Sequence, residues 1–328
     1  MTGEKTTAVR IYETGGPDVM KWEQFELPRQ GENDVLIKHT AIGLNFIDVV
    51  QRSGVSPLQL PSGLGYEAAG LVEQTGSAVT GFAAGDAVVY INAGPGAYAL
   101  KRVVAEDKLA KIPHTLDPQH AAAVLFKGLT AQYLLNKTVR IGEGDIILVH
   151  AAAGGVGSLL CKWGRKLGAT VLGTASTAEK CRIAMANGCH HAVNYTVEGW
   201  PERLLDLNGG RAPNVVYDSI GQATFMQSLD LAATFGTVVV FGMASGPAPA
   251  IEPELLNKKG CLYLTRPSVF AHNSTPELFR RNVAELLRAI DNGIVPVEVG
   301  RRYNLRDVGV AHRDAEARTL PAGSILIP

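Results

Sequence analysis

Several features are scarce in this 328-residue sequence, and each scarcity excludes a class of protein. There are four cysteines, Cys161, Cys181, Cys189 and Cys261, and no C-x-x-C pair among them. That excludes a disulfide scaffold and fits free thiols in a reducing, cytoplasmic compartment. Charge of one sign is not in surplus: Lys+Arg and Asp+Glu both number 31, for a net charge of +0. A basic nucleic-acid surface is not expected, and no acidic tail is present. No apolar run is long enough to cross a bilayer, and residues 1–7 lack the apolar segment of a secretory leader. The eight histidines show no H-E-x-x-H or similar spacing, and the His190-His191 pair is read as an exposed pair or a core element. Internal repeats and low-complexity segments are also missing.

What remains is a globular composition, 46% hydrophobic and 19% charged, long enough for two domains. The first 110 or so residues have a β-rich rhythm. Strand-like runs rich in Val and Ile occur at 8–12, 34–41, 68–75 and 87–91, separated by Gly/Pro turns, with a short helix at 45–52. Helix then dominates over 121–138. From 146 onward strands and helices alternate: strands at 170–174, 191–194, 214–218, 237–242 and 262–265, and helices at 177–187 and 200–207. Such alternation specifies a doubly wound parallel sheet. The tail reads as an amphipathic helix at 276–292, a strand at 297–301, a helix at 305–317 and a last strand at 324–327.

The most informative stretch is 145–157. Ile146 to Val149 is a continuous apolar run, read as a strand buried on both faces. Ala152-Ala153-Gly154-Gly155-Val156-Gly157 follows, and 158–167 is expected to be helical. This is G-x-G-x-x-G spacing with Ala in the first place. Small residues let the backbone turn off the strand and approach a pyrophosphate at the helix N-terminus. A Gly-rich turn alone is weak, but strand before, helix after and another strand at 170–174 strengthen it.

With these motifs in order, the chain resembles the medium-chain dehydrogenases/reductases, and within them the zinc-independent, zeta-crystallin-like NADPH:quinone oxidoreductases. The landmarks run from Tyr12-Glu-Thr-Gly-Gly-Pro17 through Gly43-Leu-Asn-Phe-Ile-Asp48, Arg52-Ser-Gly54, Pro61-Ser-Gly-Leu-Gly-Tyr-Glu67 and Phe126-Lys-Gly-Leu-Thr130. His150-Ala-Ala-Ala-Gly-Gly-Val-Gly157, Val216-Tyr-Asp-Ser-Ile-Gly221, Thr265-Arg-Pro-Ser268 and Ser324-Ile-Leu-Ile-Pro328 complete them. The resemblance implies an α/β fold: a GroES-like β-rich catalytic domain at 1–125 and 267–328, with a Rossmann doubly wound parallel sheet at 126–266. It also implies a dimer. Zinc-containing relatives place a Cys and a His where this chain has Asn45 and Tyr66. No Cys occurs between Ala87 and Lys111, where a structural four-Cys lobe would lie. No metal is therefore expected.

For the cofactor, NAD-selective sites place an acid at the end of the second strand. Here that end reads Ala175-Ser176-Thr177-Ala178-Glu179-Lys180. Ser176, Thr177 and Lys180 suit a 2′-phosphate, so NADPH is expected, although Ser176 or Thr177 can equally be a helix cap. The pyrophosphate is assigned to Ala152, Gly154, Gly155, Val156 and Gly157. By resemblance, Tyr195 flanks the adenosine, and Asn45, Lys127, Thr130, Ser219, Phe241 and Gly242 surround the nicotinamide end. Arg318 is a further cofactor candidate from the tail. Asn45, Tyr66 and Lys127 are candidates for orienting the reacting groups; Asn45 can equally cap the helix after it. Arg52 and Arg266 are candidates for substrate, or surface ion pairs. Close relatives carry aromatic residues where this chain has Val50 and Val55-Ser56-Pro57, so the substrate lip is less aromatic.

The expected activity is direct hydride transfer from NADPH to a small quinone, without metal or flavin. The alternatives are reduction of an enone or alkenal double bond by the same hydride, or a crystallin-like or RNA-binding role with bound NADPH. The small-molecule partner is a quinone or enone. No nucleic acid or membrane partner is expected.

Overall fold

The computed structural model describes residues 4–328. The first three residues of the N-terminal run read above for a leader lie outside the described residues. Among the described residues no helix is long and apolar enough to cross a membrane. The chain divides into two compact units. Unit 1 comprises Met1–Phe126, Asn273–Leu287 and Pro296–Pro328, and unit 2 comprises Lys127–His272 and Arg288–Val295.

Unit 2 is built on a six-stranded sheet. In chain order its strands are Ile146–Val149, Thr170–Ala175, His191–Asn194, Val215–Asp218, Thr237–Val240 and Tyr263–Thr265. Across the sheet they lie 3-2-1-4-5-6, every pair parallel. Ile146–Val149 and Val215–Asp218 are buried at every position, as strands covered by helices on both faces must be. The core gathers Leu148, Leu172, Val216, Phe225, Leu229 and Val238. The order reverses beside strand 1, and ligands bind such sheets in the crevice at the strand carboxyl ends there.

Unit 1 carries a seven-stranded and a three-stranded sheet. The long strand Asp34–Gly43 pairs antiparallel with Ala68–Thr75, Lys101–Ala105 and Ile325–Ile327. Register shifts against Ala68–Thr75, at Leu36/Ile37 and His39/Ala41, bend it, as β-bulges do. Val9, Ile11, Ile37, Ile42, Leu64, Tyr98 and Leu326 fill its core.

Several boundaries differ from the sequence reading. The tail strand is Arg302–Asn304, not 297–301, because the ladder begins where Arg302 meets Ile325. Just upstream, Gly300 is pinned by its amide to Gly323 O at 3.0 Å. The helix after the phosphate turn is Gly155–Lys166, so the glycines are its first turn rather than its lead-in. The long helix is Pro118–Tyr133, followed by one π-helical turn at Leu134–Thr138. Strands Lys21–Glu26 and Lys101–Ala105 and helices Phe225–Leu231 and Pro253–Lys258 are additional to the elements expected.

Candidate active site

The carboxyl ends of the unit 2 strands carry most of the expected cofactor residues. Strand 1 leads into Ala151, which holds a positive φ of 51°. Gly154 then N-caps helix Gly155–Lys166 with no side-chain hydrogen bond, and no acid occupies the first turn. The first helical N–H groups therefore face outward without a side chain competing for them, which suits an anion. The turn is also too tight for side chains. A Cβ on Gly157 would come within 2.2 Å of Ala151 O, and one on Gly155 within 3.0 Å of Lys127 Cδ. Ala152 is fully buried under the turn, while Gly154 is exposed and Gly155 and Val156 are half-buried. Lys127 thus passes its stem over the helix start, adding positive charge where a pyrophosphate would rest. Thr130, one helical turn on, is buried.

Strand 2 ends at Ala175, followed by half-buried Ser176 and exposed Thr177. Thr177 caps helix Ala178–Ala186: its Oγ1 accepts from the Lys180 amide at 3.1 Å. The cap therefore exists, and it places the Ser176 and Thr177 hydroxyls and Lys180 at one helix start. Tyr195 follows strand 3, and its amide donates to Ala175 O at 3.0 Å, so it stands beside the same end. Strands 4 and 5 bring Ser219, Phe241 and Gly242 together. The Phe241 amide donates to Asp218 O at 2.8 Å, and a Cβ on Gly242 would meet Ser219 O at 2.6 Å. Only glycine admits that approach. Arg266 is exposed just past strand 6. Its charge acts on Tyr133, whose hydroxyl burial pushes up.

In unit 1, Asn45 N-caps helix Phe46–Arg52 and is buried. Its amide nitrogen donates to Glu67 Oε1 at 2.7 Å, and Glu67 Oε2 accepts from the Phe126 amide at 2.8 Å. A Cβ on Gly43 would fall 1.9 Å from Glu67 Oε1, so glycine makes room for this carboxylate. Tyr66 is half-buried, and its hydroxyl oxygen accepts from Gln51 Nε2 at 2.7 Å. Asp48 Oδ2 accepts from the Asn45 amide and from Tyr98 OH, each at 2.9 Å. Burial and the Asp48 carboxylate push the Tyr98 hydroxyl well above its usual range, so it remains a donor. His312 Nε2 lies 3.2 Å from the same hydroxyl, and burial pushes that imidazole down to about 3.

Arg52 is buried, with side-chain exposure of 1%. Its guanidinium donates to Gly15 O at 2.6 Å and to Glu316 Oε1 at 2.5 Å. That commits it to bracing unit 1, an ion pair of the kind weighed as its alternative to substrate binding. Arg318 is exposed, with φ 57°. Glu67, Asp48, Gln51, Tyr98 and His312 were not singled out from sequence. The available signal was a carboxylate inside the Tyr66-Glu67 and Ile47-Asp48 motifs where an apolar residue would pack as well.

The residues do not fit a catalytic zinc. An amide and a phenol stand at Asn45 and Tyr66, and both Glu67 oxygens already accept hydrogen bonds. Among the described residues no group of three His, Cys, Asp or Glu side chains gathers to hold a metal.

A doubly wound sheet with an uncapped glycine turn at its switch point, carried with a GroES-like β-rich unit, defines a dinucleotide-dependent oxidoreductase. The family model of the alcohol dehydrogenase GroES-like domain matches residues 31–114, and that of zinc-binding dehydrogenases matches 155–285. The chain is 42% identical to a quinone oxidoreductase of Pseudomonas aeruginosa, over 96% of this chain and 97% of that protein. It superposes on the crystal structure of Escherichia coli quinone oxidoreductase complexed with NADPH with a TM-score of 0.94, at 41% identity, covering 98% of this chain and all of that one. A 2-haloacrylate reductase from Burkholderia is 38% identical over 98% of both chains. The chain belongs to the zinc-independent quinone oxidoreductase family of the medium-chain dehydrogenases/reductases.

Proposed function

We propose that this protein is an NADPH-dependent quinone reductase that transfers hydride directly to a small quinone without metal or flavin. The observation that carries the reading is the phosphate turn of unit 2. Its helix start is uncapped and free of acid, and the neighbouring strand ends in hydroxyls, in a chain 42% identical to a quinone oxidoreductase. NADPH, when bound, supplies the hydride from its nicotinamide ring. Ala152, Gly154, Gly155, Val156 and Gly157 hold the pyrophosphate with backbone N–H groups, and Lys127 neutralises it. Ser176, Thr177 and Lys180 bind the 2′-phosphate, and Tyr195 flanks the adenosine. Thr130, Ser219, Phe241 and Gly242 bound the nicotinamide end. Asn45 and Tyr66 are assigned to orienting the reacting groups, and a proton from water completes the hydroquinone. Arg266 is assigned to substrate and Arg318 to cofactor, and both are exposed.

The cytosol is the proposed compartment, on the strength of four free thiols. A homodimer is proposed through the outer edge of the parallel sheet. There Tyr263–Thr265 ends the strand order, and Tyr263 is 64% and Leu264 38% exposed. Light scattering on the purified protein checks it, and a monomer at micromolar concentration refutes it.

A second reading is favoured by one observation, the 38% identity to a 2-haloacrylate reductase. The same hydride would then reduce an activated carbon–carbon double bond. NADPH consumption measured against a panel of quinones, enones and 2-haloacrylates tests both. Quinone turnover supports the first reading, and double-bond reduction with no quinone turnover replaces it with the second.

A further inference from the structure

Beneath the phosphate turn runs a chain of buried polar side chains that the cofactor assignments do not use. His150 directly follows strand Ile146–Val149, and its side chain is fully buried, as are those of Thr174, Asp218 and Ser228. The imidazole Nδ1 lies 2.8 Å from Thr174 Oγ1, and Nε2 lies 3.0 Å from Ser228 Oγ. Ser228 Oγ is in turn 2.8 Å from Asp218 Oδ2. The other carboxylate oxygen accepts from the amides of Ile220 and Gly221 at 2.8 and 2.9 Å. The Thr224 hydroxyl sits 2.9 Å from Oδ2. Trp200 closes the imidazole edge-on, ring centroids 5.8 Å apart.

With a neutral imidazole the protons in this chain have one consistent arrangement. A carboxylate only accepts, so Ser228 donates to Asp218. Ser228 Oγ then accepts from Nε2–H of His150, and Nδ1 is left to accept from the Thr174 hydroxyl. Of the two neutral tautomers, only the Nε2–H form completes the sequence Thr174, His150, Ser228, Asp218. Burial favours the neutral imidazole by lowering its proton affinity, against the opposing charge of Asp218.

The anchors of this chain are the carboxyl ends of three strands. His150 precedes Ala152 by two residues, Thr174 precedes Ser176 by two, and Asp218 directly precedes Ser219. Backbone bonds repeat the pattern: the His150 amide donates to Tyr217 O at 3.0 Å and the Ala152 amide to Thr174 O at 2.9 Å. We propose that His150 is a positioning residue for NADPH, holding the pyrophosphate turn and the 2′-phosphate end of strand 2 at the spacing of a single ligand. The proposal rests on the NADPH reading above. The Thr174 bond sets where the 2′-phosphate hydroxyls stand, and the Ser228 bond sets the height of the turn itself.

The test is equilibrium binding of NADPH and NADH to the full-length protein, followed by fluorescence titration, alongside thermal melting. Thr174→Val removes one hydroxyl and keeps the shape. It should weaken NADPH about tenfold, the scale of one buried hydrogen bond with its partner left unpaired, and NADH markedly less. Ser228→Ala should weaken both cofactors about tenfold. For NADPH the double variant should lose little more than either single one, since each break frees the same imidazole. Thr174→Ser should keep NADPH affinity, and Thr174→Ala stands in for Thr174→Val if that protein does not fold. Tyr217→Phe is the control. It deletes a buried bond of the same sheet, from Tyr217 OH to Leu134 O at 3.0 Å, and should lower the melting temperature while leaving both affinities unchanged.

Lower melting temperatures with unchanged affinities, additive losses for NADPH, or a Tyr217→Phe effect equal to that of Thr174→Val would each overturn the proposal. Failure of the parent protein to bind either dinucleotide would instead overturn the NADPH reading itself.

Discussion

The strand ends of unit 2 and the polar cluster of unit 1 are two opposite ways of making a site. The first is made mostly of backbone: amides at a helix start, glycines where a Cβ would strike Ala151 or Ser219, and few charged side chains. The second is made of side chains buried against one another, with Asp48, Glu67, Arg52, Tyr98 and His312 each within hydrogen-bond distance of the next element. A backbone site binds one invariant group, a phosphate, and its geometry comes with the turn. A side-chain site is specified only when distant segments meet, and part of its cost in buried polar groups remains, since Gln51 Oε1, Arg52 Nε and His312 Nδ1 find no hydrogen-bond partner among the described residues. The difference predicts that acid and core substitutions strike unit 1 as stability, whereas substitutions in unit 2 strike cofactor affinity.

The largest effect that separates the two is acid. Burial pushes His39 down to about 4 and His312 down to about 3, whereas an unfolded histidine titrates near ~6.5. Both folded values are depressed, so the unfolded chain binds more protons throughout that interval. Stability is fully present above about pH 6.5 and is lost as pH falls toward 3–4. From these two the slope approaches two protons, about 2.7 kcal/mol per pH unit; unit 2 contributes through His150, which burial also lowers. Urea unfolding from pH 7 to 4.5 with hydrogen exchange should show unit 1 losing protection first, and unit 2 opening ahead of it would break the comparison.

Next in size is Gly157→Val, which places carbon against Ala151 O with no flexible atom to yield. NADPH affinity should fall at least about a hundredfold, read by titration, with unit 1 still folded by hydrogen exchange. Arg52→Ala should cost about 2 kcal/mol in the urea midpoint. The figure is held down because its partner Glu316 is 39% exposed. An unchanged midpoint with a raised quinone KM would return Arg52 to the substrate. The smallest expected effect is Lys180→Ala, which should weaken NADPH about tenfold and leave NADH as it was. Equal weakening of both would make Lys180 part of the helix rather than of a phosphate site.

How much of this was legible in the sequence follows the same division. Glycine spacing after an apolar run located the phosphate turn, because glycine is required there by contacts within a few residues. The continuous apolar run Ile146–Val149 read correctly as a strand covered on both faces, and 214–218 read correctly as a strand. The strand Lys21–Glu26 was missed because its sequence, Lys-Trp-Glu-Gln-Phe-Glu, lies on an exposed sheet and carries no apolar run. The strand at 297–301 was misplaced because the partner that sets its register, Ile325, is supplied by tertiary pairing. Arg52 stayed open between substrate and a surface ion pair, since its partner, Glu316, is 264 positions away. His150 and Asp218 stood inside recognised motifs, yet only the fold reveals that Ser228 links them.

The strand Ile325–Ile327 lies between Arg302–Asn304 and Asp34–Gly43, and Ile325 pairs with Gly43. On a ribosome, then, the β-rich unit begun first is closed last. Residues 127–272 can collapse around their parallel sheet while the nascent chain is still growing. The Ile42–Gly43 end of Asp34–Gly43, by contrast, waits for a strand not yet translated. Until it arrives, that end offers unpaired amides and carbonyls to any other nascent copy. A chaperone that shields an amino-terminal segment through the synthesis of the whole nucleotide-binding unit would therefore raise the yield of native protein more than one acting after release.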